Sequence, residues 1–164
     1  MIFLRNFALG CIFLLPSTAF AHTFTIPPKA PRLTVTIPDT LEPVDTLAGA
    51  EGGVSEVRTF NVDIEPLKAT DLKAAIDESV QMLGQHGILI DPTSIQQNTA
   101  KINGLEAVDV SFTIVTGREK AAITLITAKP GGSFFALLAY GSKKGFAENA
   151  KILKSIADSI KAAN

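Results

Sequence analysis

Hydrophobic residues recur along this chain in two periods, and the switches between them mark out the elements. RLTVTIP, from Arg32 to Pro38, alternates Leu33, Val35 and Ile37 with polar partners, the pattern of a half-buried strand stopped by a proline. DTLEPVDTLAGAEGG follows, with Gly49, Gly52, Gly53 and several acids, and reads as a loop. VSEVRTFNVDIEPL resumes the alternation through Val57, Phe60, Val62 and Ile64. The period then lengthens. Leu72, Ala75, Ile76, Val80 and Leu83 fall at spacings of three and four, predicting a helix from Thr70 to Leu83, capped by Thr70 and ended by Gly84 or Gly87.

GILIDPTSIQQNTAKI reads as a loop and then a strand from Ser94 to Ile102, and Asn103-Gly104 supplies the two positive-φ positions of a tight hairpin. LEAVDVSFTIVT puts Val108, Val110, Phe112 and Ile114 on one face and Asp109, Ser111 and Thr113 on a wet or lightly covered one. Turns at Gly117-Arg118 and Pro130-Gly131-Gly132 bracket the strand KAAITLITA, so these strands form an antiparallel meander.

The run FFALLAYG, Phe134 to Gly141, has no polar side chain except Tyr140, so both of its faces are apolar. Each large residue left in water would forgo ~1.5–3 kcal/mol. Something must therefore cover both sides. The short turns make the neighbours antiparallel, which leaves helices as the cover. The first helix is one. The second runs from about Lys143 to Ala163, with Phe146, Ala150, Leu153, Ile156, Ala157 and Ile160 on one stripe and Ser142 at its N-cap. The predicted fold is a three-layer α/β/α sandwich around a mainly antiparallel sheet, an α+β architecture.

The first residues stand apart from this domain. One cation at Arg5, an apolar run from Phe7 to Leu15, Pro16, and small residues at Ala19 and Ala21 form a secretory leader, residues 1–21, cleaved after Ala21. The run is about half the ~20 apolar residues of a membrane anchor. Lipidation at Cys11, behind Leu9-Gly10, is the alternative. Cleavage removes this single cysteine, so the mature domain is held by its core and not by disulfides. Residues 22–31, with Pro27, Pro28 and Pro31, read as an extended N-terminal arm, and residues 32–164 as one domain. Without Arg5 the chain has 14 basic and 16 acidic side chains, interspersed, which offers no patch for nucleic acid. These features place the protein in the periplasm or outside the cell.

The order of elements carries a resemblance. A leader, a short strand closing in Ile37-Pro38, a strand, a helix, the hairpin in INGLEAVDVSF, two strands flanking a Gly-Gly turn, and the C-terminal helix FAENAKILKSIADSI together resemble the PsbP-like superfamily. More narrowly, the chain is similar to the DcrB-like bacterial envelope proteins. The likeness spans roughly Arg32 to Ile160. Members often carry Gly-Trp after the Ile-Pro, where this chain has Asp39-Thr40 and no tryptophan at all. The resemblance implies a non-enzymatic module that binds another envelope protein or assists assembly, without a cofactor or a catalytic motif.

Few residues suggest chemistry. His86 follows the first helix, where an imidazolium complements the dipole. Ser142 and Lys144 have the spacing of an acyl-transfer pair, against the plainer role of Ser142 as a helix cap. Asp63 and Glu65 share a strand face and Asp39 and Glu42 share a loop, both expected to be solvated surface. Cleavage after Ala21 would leave His22 with an α-amine beside its imidazole, a chelate suited to copper, with His86 or Met82 as further candidate ligands. Phe134, Phe135 and Tyr140 are expected in the core, or lining a small-molecule pocket.

Overall fold

A computed structural model describes residues 20–54, 59–117, 119–128 and 133–163. The predicted leader up to Ala19, with Arg5 and Cys11, lies outside the described residues, as do Val57, Arg118 and the Pro130-Gly131-Gly132 turn.

Seven antiparallel strands form the central sheet, in the spatial order β3 (Val44–Asp45), β4 (Ala50–Gly53), β5 (Phe60–Pro66), β11 (Ser133–Gly141), β10 (Lys120–Ala128), β8 (Leu105–Ser111) and β7 (Gln96–Ile102). β11 lies inside it, paired with β5 from Phe135↔Pro66 to Gly141↔Phe60 and with β10 from Lys120↔Gly141 to Ala128↔Ser133. Its two apolar faces are both covered, as the sequence demands. Phe135, Leu137 and Ala139 join the core beneath helix α2 (Lys143–Ser159), while Ala136, Leu138 and Tyr140 join the core beneath helix α1 (Leu72–Gln85). Phe135 is buried and Phe134 half-buried.

The three layers stand, but one outer layer is composite. Beside α2 lies a second sheet, β1 (Ala21–Ile26), β2 (Leu33–Pro38) and β12 (Lys161–Ala162), whose Leu33, Val35 and Ile37 enter the same core as Phe60, Val62 and Ile64. The segment expected as an arm is thus a strand over its first half, in full register with β2 from Ala21↔Pro38 to Ile26↔Leu33. Its prolines fall in the connection after Ile26, where ladder donors are not needed. The last residues expected in the C-terminal helix are also diverted. α2 stops at Ser159, Asn103 Nδ2 donates to the carbonyls of Asp158 (2.6 Å) and Ile160 (2.8 Å), and Lys161–Ala162 pair with β2.

Other departures have local causes. The stretch expected as a loop contains the β3–β4 hairpin, and its glycines mark close approach: a Cβ on Gly52 would stand 2.9 Å from Ile37 Cγ2. The strand expected over residues 105–116 breaks at Phe112. Its last part, β9 (Ile114–Thr116), leaves the large sheet to pair with β6 (Leu89–Ile90) beside the end of α1. α1 is capped by Asp71, which accepts from Ala74 N at 2.8 Å, in place of Thr70, and after its C-cap at His86 the chain turns away through Gly87 with φ +76°. The hairpin turn at Asn103 (φ 48°) and Gly104 (φ 83°) forms as predicted.

Candidate functional site

The polar residues of β5 converge with the end of α1. Asn61, Asp63 and Glu65 alternate with the apolar core residues of the strand and point to the α1 side, next to Tyr140 and Leu138 of β11. The sequence treats this face as solvated. In the fold Asn61 and Asp63 are buried, because α1, β11 and the β3–β4 hairpin close around them. His86, at the C-cap of α1, stacks on Tyr140 with ring centroids 4.6 Å apart and an interplanar angle of 27°. Its Nε2 lies 3.3 Å from Asp63 Oδ2, so the ring is held between the tyrosine face and the buried carboxylate.

The Tyr140 hydroxyl is 3.1 Å from Nδ1 and 3.4 Å from Nε2 of His86. A hydroxyl nearly equidistant from both nitrogens of a ring on which it stacks lies over the ring face, not along an in-plane lone pair. The contact is therefore aromatic packing, and it does not relay a proton from tyrosine to histidine.

Beside this cluster is a recess of about 50 Å³ lined by Glu42, Val44, Glu51, Gly52, Gly53, Asn61 and Asp63, with room for little more than water. Burial pushes the Glu65 carboxyl above its ordinary range; the hydrogen bond from Thr46 Oγ1 (3.2 Å) opposes this, and the charges of Asp63 and Glu51 add to it.

The remaining sequence candidates are dispersed. Ser142 caps α2: its Oγ accepts from Gly145 N at 2.9 Å and lies 3.5 Å from the Thr59 carbonyl. Gly141 and Gly145 flank that same carbonyl, and a Cβ on either would come within 2.1 Å of it, so both glycines serve backbone packing. Met82 packs against the α1-side core. His22 lies in β1, in the outer layer on the α2 side, with Nδ1 3.5 Å from Asp39 Oδ1. His22 therefore sits across the central sheet from His86 and Met82, and the three do not form one ligand set. Asp39 and Glu42 also part company, the first beside His22 and the second on the acidic recess. Among the described residues no group of three or more His, Cys, Asp and Glu side chains is arranged to hold a metal ion.

An apolar surface feature is on the α2 side. α2 and the small sheet cover β4, β5 and β11, while the outer part of that face, over β8 and β7, presents exposed Asp109, Ser111, Asn98 and Gln96. Along the edge of α2 runs an apolar groove of about 280 Å³, floored by Ala122, Leu137 and Ala139 and walled by Phe146, Ala150 and Leu153. Sequence reading missed the Asp63–His86 contact and the groove. Only the side parity of Asp63 and Tyr140 on their strands hinted at the first.

The arrangement of layers has a counterpart among solved structures. The solution structure of cyanobacterial PsbP (CyanoP) from Synechocystis sp. PCC 6803 matches over 95% of this chain and 98% of its own, with a TM-score of 0.56 and 10% sequence identity. The fold is PsbP-like. At that identity the likeness extends to the fold alone. No protein-family model and no curated protein matches the sequence. Among the described residues of this PsbP-like fold, no helix is long and apolar enough to cross a membrane.

Proposed function

We propose that the protein is a non-catalytic binding or adaptor module of the cell envelope, DcrB-like within the PsbP-like fold, exported behind a leader removed after Ala21, and that its partner is another envelope protein. The observation that carries this reading is the half-open sheet face: polar Asp109, Ser111, Asn98 and Gln96 border an apolar strip of Ala122, Leu137, Phe146 and Leu153. A polar surface around a small apolar centre has the anatomy of a reversible protein interface. The hydroxyl with the spacing of a nucleophile, Ser142, is engaged in capping a helix, which also favours binding over catalysis.

Photo-crosslinkers placed at Asn98, on the open face, and at Lys73, on the exposed back of α1, test the proposal in the native cell. A discrete adduct from position 98 and none from position 73 is expected. Equal labelling from both positions, or none from either, overturns it. N-terminal sequencing of the chain recovered from the envelope fraction tests export separately, with His22 expected first.

A further inference from the structure

Across the sheet from His86, a second histidine and carboxylate meet at the open end of the β1–β2 hairpin. His22 stands in ladder register opposite Ile37, on the same side of β1 as the half-buried Phe24 and the buried Ile26. Its ring meets Phe24 edge-on at 6.4 Å. Asp39 is the first residue of the short 3-10 turn that follows β2. Strand pairing and turn bring the two side chains together, with Asp39 N also donating to the Phe20 carbonyl at 3.1 Å, a bond that cleavage after Ala21 would remove, and they leave His22 Nδ1 3.5 Å from Asp39 Oδ1 with both groups open to solvent, at 65% and 42% exposure.

We propose that the mature N-terminus is a divalent-metal site of the Cu(II) or Ni(II) class, in which the α-amine and Nδ1 of His22 chelate the ion and the Asp39 carboxylate supplies a third ligand. This rests on the reading that the leader is removed after Ala21. Amine and Nδ1 of one histidine close a six-membered ring on a metal. Nitrogen and carboxylate ligands stand ~2.0–2.2 Å from such an ion, so two adjacent ligands at right angles are ~2.8–3.1 Å apart. The observed separation of 3.5 Å requires only a small closing movement. Two nitrogens and an oxygen, with the remaining positions left to water, suit the tetragonal preference of Cu(II) and Ni(II) and lack the thiolates that favour softer ions. Because β1 is paired, the ordering of residue 22 is met by the fold, unlike that of a free peptide terminus. Binding requires the amine and imidazole to be unprotonated, so affinity falls on acidification.

The test uses full mature protein with His22 as its first residue, released from a fusion by a protease, and the peptide HTFTIP as reference. Titration with Cu(II) at neutral pH, followed by calorimetry and electron paramagnetic resonance, is expected to give one equivalent, bound at least tenfold more tightly by the protein than by the peptide. Asp39→Asn should bring the protein down to the peptide's affinity with an unchanged Tm, and one extra alanine before His22 should remove the tight phase. Equal affinities of protein and peptide, or no effect of Asp39→Asn, overturn the site while leaving export untouched. A native N-terminus other than His22 instead overturns the export reading, and the physiological site with it.

Discussion

The two faces of the seven-stranded sheet are closed in different ways. On the α2 side the layers are joined by backbone and by hydrogen bonds to backbone. β12 pairs with β2, Thr36 N donates to Ser159 Oγ at 2.9 Å, and Asn103 reaches from a sheet hairpin to the last carbonyls of α2. Among the described residues the buried polar side chains, Asn61, Asp63 and Ser79, all lie on the other side. On the α1 side the helix is held by side chains. Its stripe packs on Leu138 and Ile123, the Glu78 carboxylate accepts from Lys68 N and Ala69 N, and His86 bridges to Asp63 and Tyr140. One face stores stability, and the other stores ionisable groups in partly dehydrated positions. Substitutions on the first should show in thermal melts, and those on the second in spectra and pH profiles.

The largest effect belongs to Phe135→Ala. This fully buried ring on the α2 side should cost about 3–5 kcal/mol, against about 1–2 kcal/mol for half-buried Phe134 on the other face. Denaturant melts of the two variants measure the difference, and equal losses would erase the distinction between the faces. Asn103→Ala should cost about 1–2 kcal/mol through the lost carbonyl contacts and the unfavourable positive φ, with faster amide exchange confined to the last turn of α2. Ser142→Ala, which removes the cap at the other end of the same helix, should cost about 1 kcal/mol, again read from melts.

Across the sheet, His86→Ala should cost about 1 kcal/mol or less yet change the optical signal clearly. The chain has one tyrosine and no tryptophan, so its intrinsic emission comes from Tyr140 alone. Loss of the stacked imidazole should raise that emission, which steady-state fluorescence at a single pH measures. The smallest effect is that of Glu65→Gln. The Glu65 carboxyl titrates above its ordinary range in the folded chain, so ionising it costs stability as pH rises, and acidification from neutrality relieves the cost. Glutamine retains an acceptor for Thr46. The variant should therefore gain roughly a few tenths of a kcal/mol at neutral pH, given partial solvent screening, and its Tm should vary less with pH across the weakly acidic range.

The elements that the sequence announced most clearly are those whose own residues decide them. The stripe of α1, the Asn103-Gly104 turn and the doubly apolar β11 carry their signals locally. What escaped was decided by distant partners. Nothing in residues 105–116 marks the break at Phe112, because it depends on Leu89 and Ile90 taking Ile114 and Thr116 as ladder partners. Lys161 and Ala162 have helical propensity, overridden by the free edge of β2. Gly52 and Gly53 looked like loop residues because closeness to Ile37 and Asn61 cannot be read from a glycine itself. Asp63 looked solvated for a similar reason. Alternation states which side chains share a face, and burial of that face depends on α1 and β11, which arrive later in the chain.

The smaller sheet sets β2 between the first and the last strand of the described residues. A polypeptide emerging from a ribosome or a membrane pore would therefore present β1 and β2 early, yet leave one edge of β2 vacant until residues 161 and 162 appear. Its final closure waits on residues far down the chain, and a rigid body joined directly after residue 162 would burden the strand on which that closure depends.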